Sequence, residues 1–295
     1  MNLFSISDLE QFSGIKSHTI RIWEKRYNAL TPARSEGNTR YYDNSQLKRL
    51  LKIVSLMDNG HKVSDLGKMT DANLTLLLDG VSHQSLPIEN AYNYFITLIL
   101  ESGVEFNETQ FEKLFSNCVL RFGLKETYKH VIYPLLVRTG LLWIRDSLLP
   151  VQEHFFTNLI RQKLLAAIDE LPPEKSSKDT WVLFLPENEF HEIGLIFAHY
   201  IIRQAGKKVI YFGANVPLES LKHAAPAINP SHLLFFMVHH NVPAESQRYL
   251  DMLSENFKNT NIFLTGNKKL IEQLQPGKKM KWVQSVDELE KAIGE

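Results

Sequence analysis

One short segment of this 295-residue chain has residues spaced for ligand chemistry. Glu189 stands two positions before His191, and Gly194 follows His191 by three. An imidazole can ligate a transition metal, while a carboxylate bonded to the far ring nitrogen fixes the tautomer and raises the basicity of the ring. These residue types predict a ligand-binding segment.

A second segment combines a large aromatic side chain with an acidic residue and a histidine. Trp143 is followed, after nine residues, by Glu153 and His154. One interpretation is purely structural: Trp143 is a core aromatic residue, and Glu153 and His154 begin a helix on its polar side. The alternative, a ligand-covering role, depends on a family resemblance.

The elements that must position Glu189 and His191 alternate between apolar strands and helices from residue 180 onward. Alternating buried strands and helices predict a doubly wound parallel sheet, in which ligands usually bind at the carboxyl ends of the strands. Glu189 and His191 lie in the loop after the first strand, which is where ligands of this fold bind. The predicted strands are Trp181–Leu185, Lys208–Phe212, Leu233–Val238, Asn261–Leu264 and Met280–Val283.

Before this sheet, four apolar stretches at helical spacing predict a four-helix bundle. They cover residues 91–101, 108–122, 124–143 and 151–171. Polar segments at 71–87 and 171–179 are predicted to be linkers. We therefore predict a multidomain α and α/β protein with domains at 1–75, 86–172 and 179–295.

The amino-terminal region predicts a winged helix-turn-helix. A short helix from Ser7 ends at Gly14, and Ser17 is predicted to cap a second helix that runs to about Tyr27. Two extended segments around a turn at residues 37–38 form the wing, and helices at about 45–57 and 63–69 follow. The second helix offers side chains that could reach DNA in the major groove: Lys16, His18, Thr19, Arg21 and Arg26.

Charge and composition agree with a DNA-binding protein of the cytoplasm. Residues 1–70 contain 11 basic and 7 acidic side chains, whereas the whole chain has a net charge of zero. A basic module attracts DNA phosphates. A single cysteine, Cys118, fits a reducing compartment. Because no leader and no long apolar stretch is evident, we expect neither export nor membrane insertion.

The first seventy residues resemble the MerR family of transcriptional regulators. The resemblance rests on Thr-Ile-Arg-Ile-Trp-Glu at 19–24, Pro-Ala-Arg at 32–34 and Arg-Tyr-Tyr at 40–42. It implies that Arg21 and Tyr41 contact DNA phosphates or bases, that Arg34 and Arg40 hold the wing on DNA, and that Trp23 is a core residue. The alternative is a winged helix that binds protein instead.

The rest of the chain resembles MerR-type regulators with a cobalamin-binding sensor, among them the light-responsive B12 photoreceptor repressors. Their signature, Asp-x-His-x-x-Gly, is matched at His191 and Gly194, with Glu189 in place of the aspartate. The resemblance implies cobalamin as cofactor, in the adenosyl or methyl form, and His191 as the lower cobalt ligand. It also implies that Trp143, Glu153 and His154 cover the upper face.

Three further positions depart from the family pattern. A Ser-x-Leu segment, which lines the channel for the nucleotide tail of cobalamin, is replaced by Phe236 and the two residues after it. A Gly-Gly pair is replaced by Thr265 and Gly266. The histidine that follows the tryptophan in the photoreceptors is Ile144 here. These differences leave open an adapted pocket, binding without insertion of the tail, or loss of binding.

The sequence therefore predicts a regulator, a repressor by analogy, that binds operator DNA as a homodimer or homotetramer. A corrinoid held between bundle and sheet would change how the protein assembles on DNA. One alternative is a regulator with a degenerate pocket that works through protein contacts. The other, a corrinoid-carrying subunit of an enzyme, is disfavoured because a DNA-binding module, and no catalytic domain, accompanies the fold.

Overall fold

The computed structural model describes residues 3–35, 37–58, 60–82, 88–144, 148–173, 179–238 and 242–294. It divides into two compact units, Met1–Phe156 and Thr157–Glu295. Parts of both predicted linkers, residues 83–87 and 174–178, lie outside the described residues, so the domain limits remain predictions. No helix in the described ranges is long and apolar enough to cross a membrane.

The helix-turn-helix forms as predicted, from α1 (Ile6–Ser13) and α2 (Ser17–Tyr27). A capping box at Ser5 starts α1, and Gly14, with φ of 74°, ends it in the left-handed conformation that glycine tolerates. The prediction that Ser17 caps α2 is wrong, because Lys16 occupies the cap position and makes no side-chain cap bond. The Ser17 hydroxyl instead donates to the Glu10 carboxylate, at 2.7 Å.

The wing and the helices that support it complete the amino-terminal module. Strands β1 (Ala33–Arg34) and β2 (Arg40–Tyr41) pair antiparallel, followed by α3 (Asn44–Asp58) and α4 (Val63–Leu66). Ile20 and Trp23 of α2 are buried, as predicted.

Most of the segment predicted to be the first linker, residues 71–87, forms a helix. Residues Asp71–Ser82 form α5, with Leu74 and Leu78 buried one turn apart. Arg49 of α3 fixes the start of this helix by an ion pair with Asp71 at 2.7 Å and a hydrogen bond to the Met69 carbonyl at 2.9 Å. The polar character of the segment concealed a helix that long-range contacts stabilise.

The helical region contains α6 (Ile88–Val104), α7 (Glu108–Thr127), a π-helical turn (Tyr128–Ile132), α8 (Tyr133–Ile144) and α9 (Pro150–Asp169). Gly123 breaks the helical path of α7 with φ of 79° and ψ of 159°. This break explains why the sequence pattern predicted a new helix from Leu124.

The second unit contains the predicted parallel sheet. Strands β3 (Thr180–Pro186), β4 (Lys208–Val216), β5 (His232–Met237), β6 (Asn261–Gly266) and β7 (Met280–Trp282) lie in the order β4-β3-β5-β6-β7. This is the flavodoxin-like doubly wound order, whose ligand crevice lies between the strands equivalent to β3 and β5. Helices α10 (Ile193–Gln204), α11 (Leu218–Ile228), α12 (Pro243–Asn256), α13 (Lys268–Ile271) and α14 (Val286–Gly294) connect and follow the strands.

Candidate functional site

The loop after β3 brings the predicted carboxylate and imidazole together. The Glu189 side chain is fully buried, and its Oε1 lies 2.6 Å from Nδ1 of His191. Half of the His191 side chain, 54%, remains exposed. The extra methylene of glutamate, relative to the aspartate of the family, does not prevent contact with the ring.

At least four hydrogen bonds with other described residues hold the Glu189 carboxylate. Oε1 also accepts from the backbone N–H groups of Phe190 and His191, at 3.0 and 3.1 Å. Oε2 accepts from the backbone N–H of Val238, at 2.8 Å, just beyond the end of β5. The carboxylate therefore joins the ends of β3 and β5 at the crevice and orients the His191 ring through Nδ1, which makes Nε2 the nitrogen suited to a metal.

Phe236 and Gly194 meet in the same crevice. A Cβ atom on Gly194 would lie 2.6 Å from Cε1 of the Phe236 ring, closer than carbon atoms approach. The missing side chain of Gly194 thus makes room for a ring from β5. In the family pattern a small serine stands at the Phe236 position, so the ring fills space that the resemblance assigns to a ligand.

Gly266 meets a backbone requirement at the end of β6. Its φ is 133°, and a Cβ atom there would lie 2.2 Å from the Met237 carbonyl oxygen. Only glycine fits this approach. Thr265, its neighbour, is half-buried and pairs with Phe236 across the strands. The structure therefore brings Gly194, Phe236, Thr265 and Gly266 to the crevice edge of the sheet.

Glu192, which the sequence analysis did not select, forms a partly buried link beside His191. Its Oε1 accepts from the Tyr211 hydroxyl at 2.9 Å, and its Oε2 lies 3.5 Å from the Arg161 guanidinium of α9. Gly213 leaves room for this carboxylate, because a Cβ atom there would lie 2.9 Å from Oε1. Burial and the nearby Glu192 carboxylate raise the pKa of Tyr211, so its phenol stays a hydrogen-bond donor.

The burial of His199 predicts that the stability of the second unit depends on pH. Burial, with a smaller contribution from Arg203, lowers the pKa of His199 from 6.5 to about 4. The unfolded chain therefore binds a proton more readily between these values, so stability is complete above pH ~6.5 and falls as the pH drops towards ~4. Allowing for partial solvent screening, we expect a loss of about 1 kcal/mol between pH 7 and pH 5.

Urea unfolding of parent and His199→Phe proteins at pH 5, 6 and 7 measures this effect. The phenyl ring keeps the stacking on Tyr211, whose ring centroid lies 5.1 Å away. The variant should lose much of the slope between pH 7 and pH 5, while His223→Gln, an exposed control, should keep it. An unchanged slope in His199→Phe would exclude His199 as its source.

The predicted DNA-contacting side chains lie on the helix-turn-helix and its wing. Arg21, Arg26 and Arg34 are exposed, while Arg40 and Tyr41 are half-buried. Lys16 is 73% exposed and pairs with Glu10 at 3.0 Å. His18 and Thr19 contact each other, with 3.3 Å between His18 Nε2 and Thr19 Oγ1.

Two arginines of the wing also have partners within the protein. Arg40 donates to Glu24 of α2 at 2.9 Å, and Tyr42 donates to the same carboxylate at 3.0 Å. Arg34 donates to the Asn38 side chain across the wing turn at 2.6 Å. The Arg40 and Tyr42 bonds hold the wing against α2, while the Arg34 bond lies within the wing; the sequence indicated neither internal role.

Comparison with known proteins identifies two of these regions. Residues 4–73 match the model of the MerR HTH family regulatory protein, and residues 96–167 match that of the B12 binding domain. The chain joins a MerR-type helix-turn-helix to a B12-binding domain. The predicted MerR-type helix-turn-helix and the predicted B12-binding domain are both confirmed.

Two relatives align with this MerR-type chain over most of their own length and most of its length. It is 25% identical over 232 residues to the HTH-type transcriptional repressor CarH of Myxococcus xanthus, an alignment that covers 77% of this chain and 76% of CarH. It is 23% identical over 248 residues to the repressor CarA of the same organism, covering 83% of this chain and 80% of CarA. The chain is homologous to both.

A solved structure supports the fold alone. The monomethylamine corrinoid protein of Methanosarcina barkeri superposes with a TM-score of 0.54 at 15% identity, over 66% of this chain and 94% of that protein. The predicted fold class is confirmed.

Trp143, Glu153 and His154 all lie within the B12-binding domain. Trp143 is in the last turn of α8, and its side chain lies outside the described part of the structure. At the start of α9, Glu153 Oε2 lies 2.8 Å from Nδ1 of His154, whose side chain is 70% exposed. Among the described residues, no three His, Cys, Asp or Glu side chains are grouped to hold a metal ion.

Proposed function

We propose that this MerR-type regulator represses transcription and senses a corrinoid, cobalamin, through its carboxyl-terminal unit. The observation that carries the proposal is the contact of 2.6 Å between the buried Glu189 carboxylate and Nδ1 of His191. This arrangement gives a half-exposed imidazole a fixed orientation at the crevice of a doubly wound sheet, where ligands of this fold bind. Its location agrees with the family signature.

The donor set fits the cobalt end of a corrinoid. The corrin ring supplies most of the cobalt ligands itself, so one protein imidazole would suffice to hold the metal, and His191 would provide it through Nε2. By resemblance, Trp143, Glu153 and His154 would also contact the corrinoid. When bound, the cofactor would supply a light-sensitive cobalt–carbon bond; Ile144 leaves this chain without the imidazole that the photoreceptors have after the tryptophan.

The fit is poorer for the nucleotide tail. Phe236 packs on Gly194 where the family pattern has a serine, so the tail of cobalamin would have to displace an aromatic ring. This contact favours a second candidate function, in which the regulator works without corrinoid through protein contacts. The two candidates share the DNA-binding role and differ only in the ligand.

The substitution Phe236→Ser separates these candidates. It should open the crevice and raise the affinity for hydroxocobalamin by about tenfold or more, since removing a ring that blocks a ligand recovers roughly 1.4 kcal/mol or more. Cobinamide, which lacks the tail, should bind parent and variant alike. Equilibrium dialysis of both corrinoids with both proteins measures this.

The control for this experiment is Phe212→Ser, a partly exposed aromatic residue of β4. It should leave the ratio of the two affinities unchanged. Equal hydroxocobalamin affinity in parent and Phe236→Ser would contradict the blocking role. If neither corrinoid binds either protein, the regulator without corrinoid is the correct function.

We propose that DNA is bound by a homodimer or homotetramer through the exposed cations of α2 and the wing. Duplexes that the purified protein selects from a random-sequence library would define an operator. Binding to that duplex would then be measured by mobility shift, in the dark and after illumination, with and without adenosylcobalamin. A corrinoid sensor predicts a change with cofactor, whereas no selected duplex at all would contradict the regulatory role.

A further inference from the structure

We propose that helix α8 is a mechanical link between the B12-binding domain and the DNA-reading helix, and that Arg138 is its contact residue. This proposal adds a route of regulation to the proposed function. Helix α8 packs against α1, the first helix of the helix-turn-helix. The Arg138 guanidinium donates to the carbonyl oxygen of Phe12, in the last turn of α1, at 3.4 Å.

The chemistry of this contact makes it sensitive to small shifts. The Arg138 side chain is half-buried, and this burial lowers its pKa. The carbonyl groups at the end of a helix carry partial negative charge and attract a cation. Among the described residues, one long hydrogen bond holds this half-buried charge, so a movement of α8 would strengthen or break it.

From α1 the link continues directly to the DNA-reading helix α2. Glu10, two residues before Phe12, accepts hydrogen bonds from the Ser17 backbone N–H at 3.0 Å and from its hydroxyl at 2.7 Å. These bonds, with one from Lys16, lower the pKa of Glu10 to about 2, so the carboxylate remains charged at neutral pH. Helices α1 and α2 therefore move together, and Arg21 moves with them.

A second contact joins the helix-turn-helix module to the B12-binding domain. Helix α6 packs against α3, with an ion pair between Lys48 and Glu105. Glu101 of α6 is 7% exposed, and burial raises its pKa although Lys52 and Lys48 lower it. The helix-turn-helix is thus held on the B12-binding domain at two places, and α8 provides the contact nearer to the turn between α1 and α2.

Trp143 lies on α8 at the point where a movement would enter the proposed link. Trp143 lies five residues after Arg138 on α8, about 7.5 Å further along a helix that rises 1.5 Å per residue. A helix of this length transmits displacement at one end to the other. Any event that moves the Trp143 turn, including the binding of a ligand there, would alter the contact between Arg138 and the Phe12 carbonyl.

A double-mutant cycle tests the link in the absence of corrinoid. Operator affinity is measured by fluorescence anisotropy for the full-length parent, Trp143→Ala, Arg138→Met and the double variant, with the selected duplex as probe. Trp143→Ala should change affinity by about threefold or more, in the range of couplings carried by contacting networks. In the Arg138→Met background the same substitution should change it by less than about 1.5-fold.

Arg121→Met is the matched control, because Arg121 is exposed on α7 and lies over the Phe122 ring. In that background the effect of Trp143→Ala should persist. Equal effects of Trp143→Ala in all backgrounds, or none in the parent, would overturn the proposal. Circular dichroism checks folding, and Trp143→Phe replaces Trp143→Ala if the latter unfolds. Corrinoid retention, measured separately by absorption, tests the proposed function independently.

Discussion

The substitution Glu189→Gln should destabilise the carboxyl-terminal unit by about 3 kcal/mol, the cost of leaving buried N–H groups without acceptors. Both carboxylate oxygens accept backbone N–H groups, from Phe190 and His191 on one side and from Val238 on the other. An amide has only one oxygen, so either orientation of glutamine turns an NH₂ group towards N–H donors. Urea unfolding followed by tryptophan fluorescence measures the loss.

Glu187→Gln is the control, because Glu187 is exposed two residues earlier in the same loop. It should change the free energy of unfolding by less than about 0.5 kcal/mol, as surface substitutions usually do. A Glu189→Gln protein as stable as this control would mean that the carboxylate does not join the ends of β3 and β5. Loss of corrinoid binding in the variant would then need another cause.

The substitution Arg21→Ala should weaken operator binding by about tenfold at physiological salt, since a lost arginine contact to DNA costs roughly 1–3 kcal/mol. Arg21 is exposed on α2, while Ile20 and Trp23 on the other face of the helix are buried. The arginine is therefore presented to solvent on a helix whose opposite side is fixed in the core. Fluorescence anisotropy titrations with the selected duplex at several salt concentrations measure the change.

The salt series also identifies what Arg21 touches. A phosphate contact predicts equal weakening on all duplexes and a smaller salt slope, whereas a base contact predicts relaxed preference at one base pair. Arg121→Ala, on the B12-binding domain, should leave affinity unchanged. If the Arg21→Ala protein binds the duplex as tightly as the parent does, the assignment of α2 as the DNA-reading helix is contradicted.

The regular elements of the second unit could be predicted because their apolar residues carry local information. Trp181–Leu185 is a continuous apolar run, as expected of a strand buried on both faces, and it lies within β3. Helix α10, Ile193–Gln204, follows β3 and its loop, in agreement with the predicted alternation of strands and helices. The Glu189 and His191 contact could be anticipated as well, because both residues stand in one loop.

Contacts between distant parts of the chain could not be predicted in the same way. Helix α5 is fixed by Arg49, 22 residues away from its partner Asp71. Glu192 meets Tyr211 on another strand and Arg161 on another helix, and Arg40 of the wing meets Glu24 of α2. Nothing in the spacing of these residues indicates their partners, because the fold alone brings them together.

A corrinoid held by His191 would be visible in the absorption spectrum of the purified protein. Parent protein and His191→Ala would be mixed in the dark with adenosylcobalamin, methylcobalamin or hydroxocobalamin, freed of unbound ligand, and examined by absorption spectroscopy. His223→Ala, an exposed histidine of α11, serves as the control. We expect retained corrinoid with a base-off, histidine-ligated spectrum in parent and control, and loss of that spectrum in His191→Ala. Absence of corrinoid from the parent, or an unchanged spectrum in His191→Ala, would contradict it.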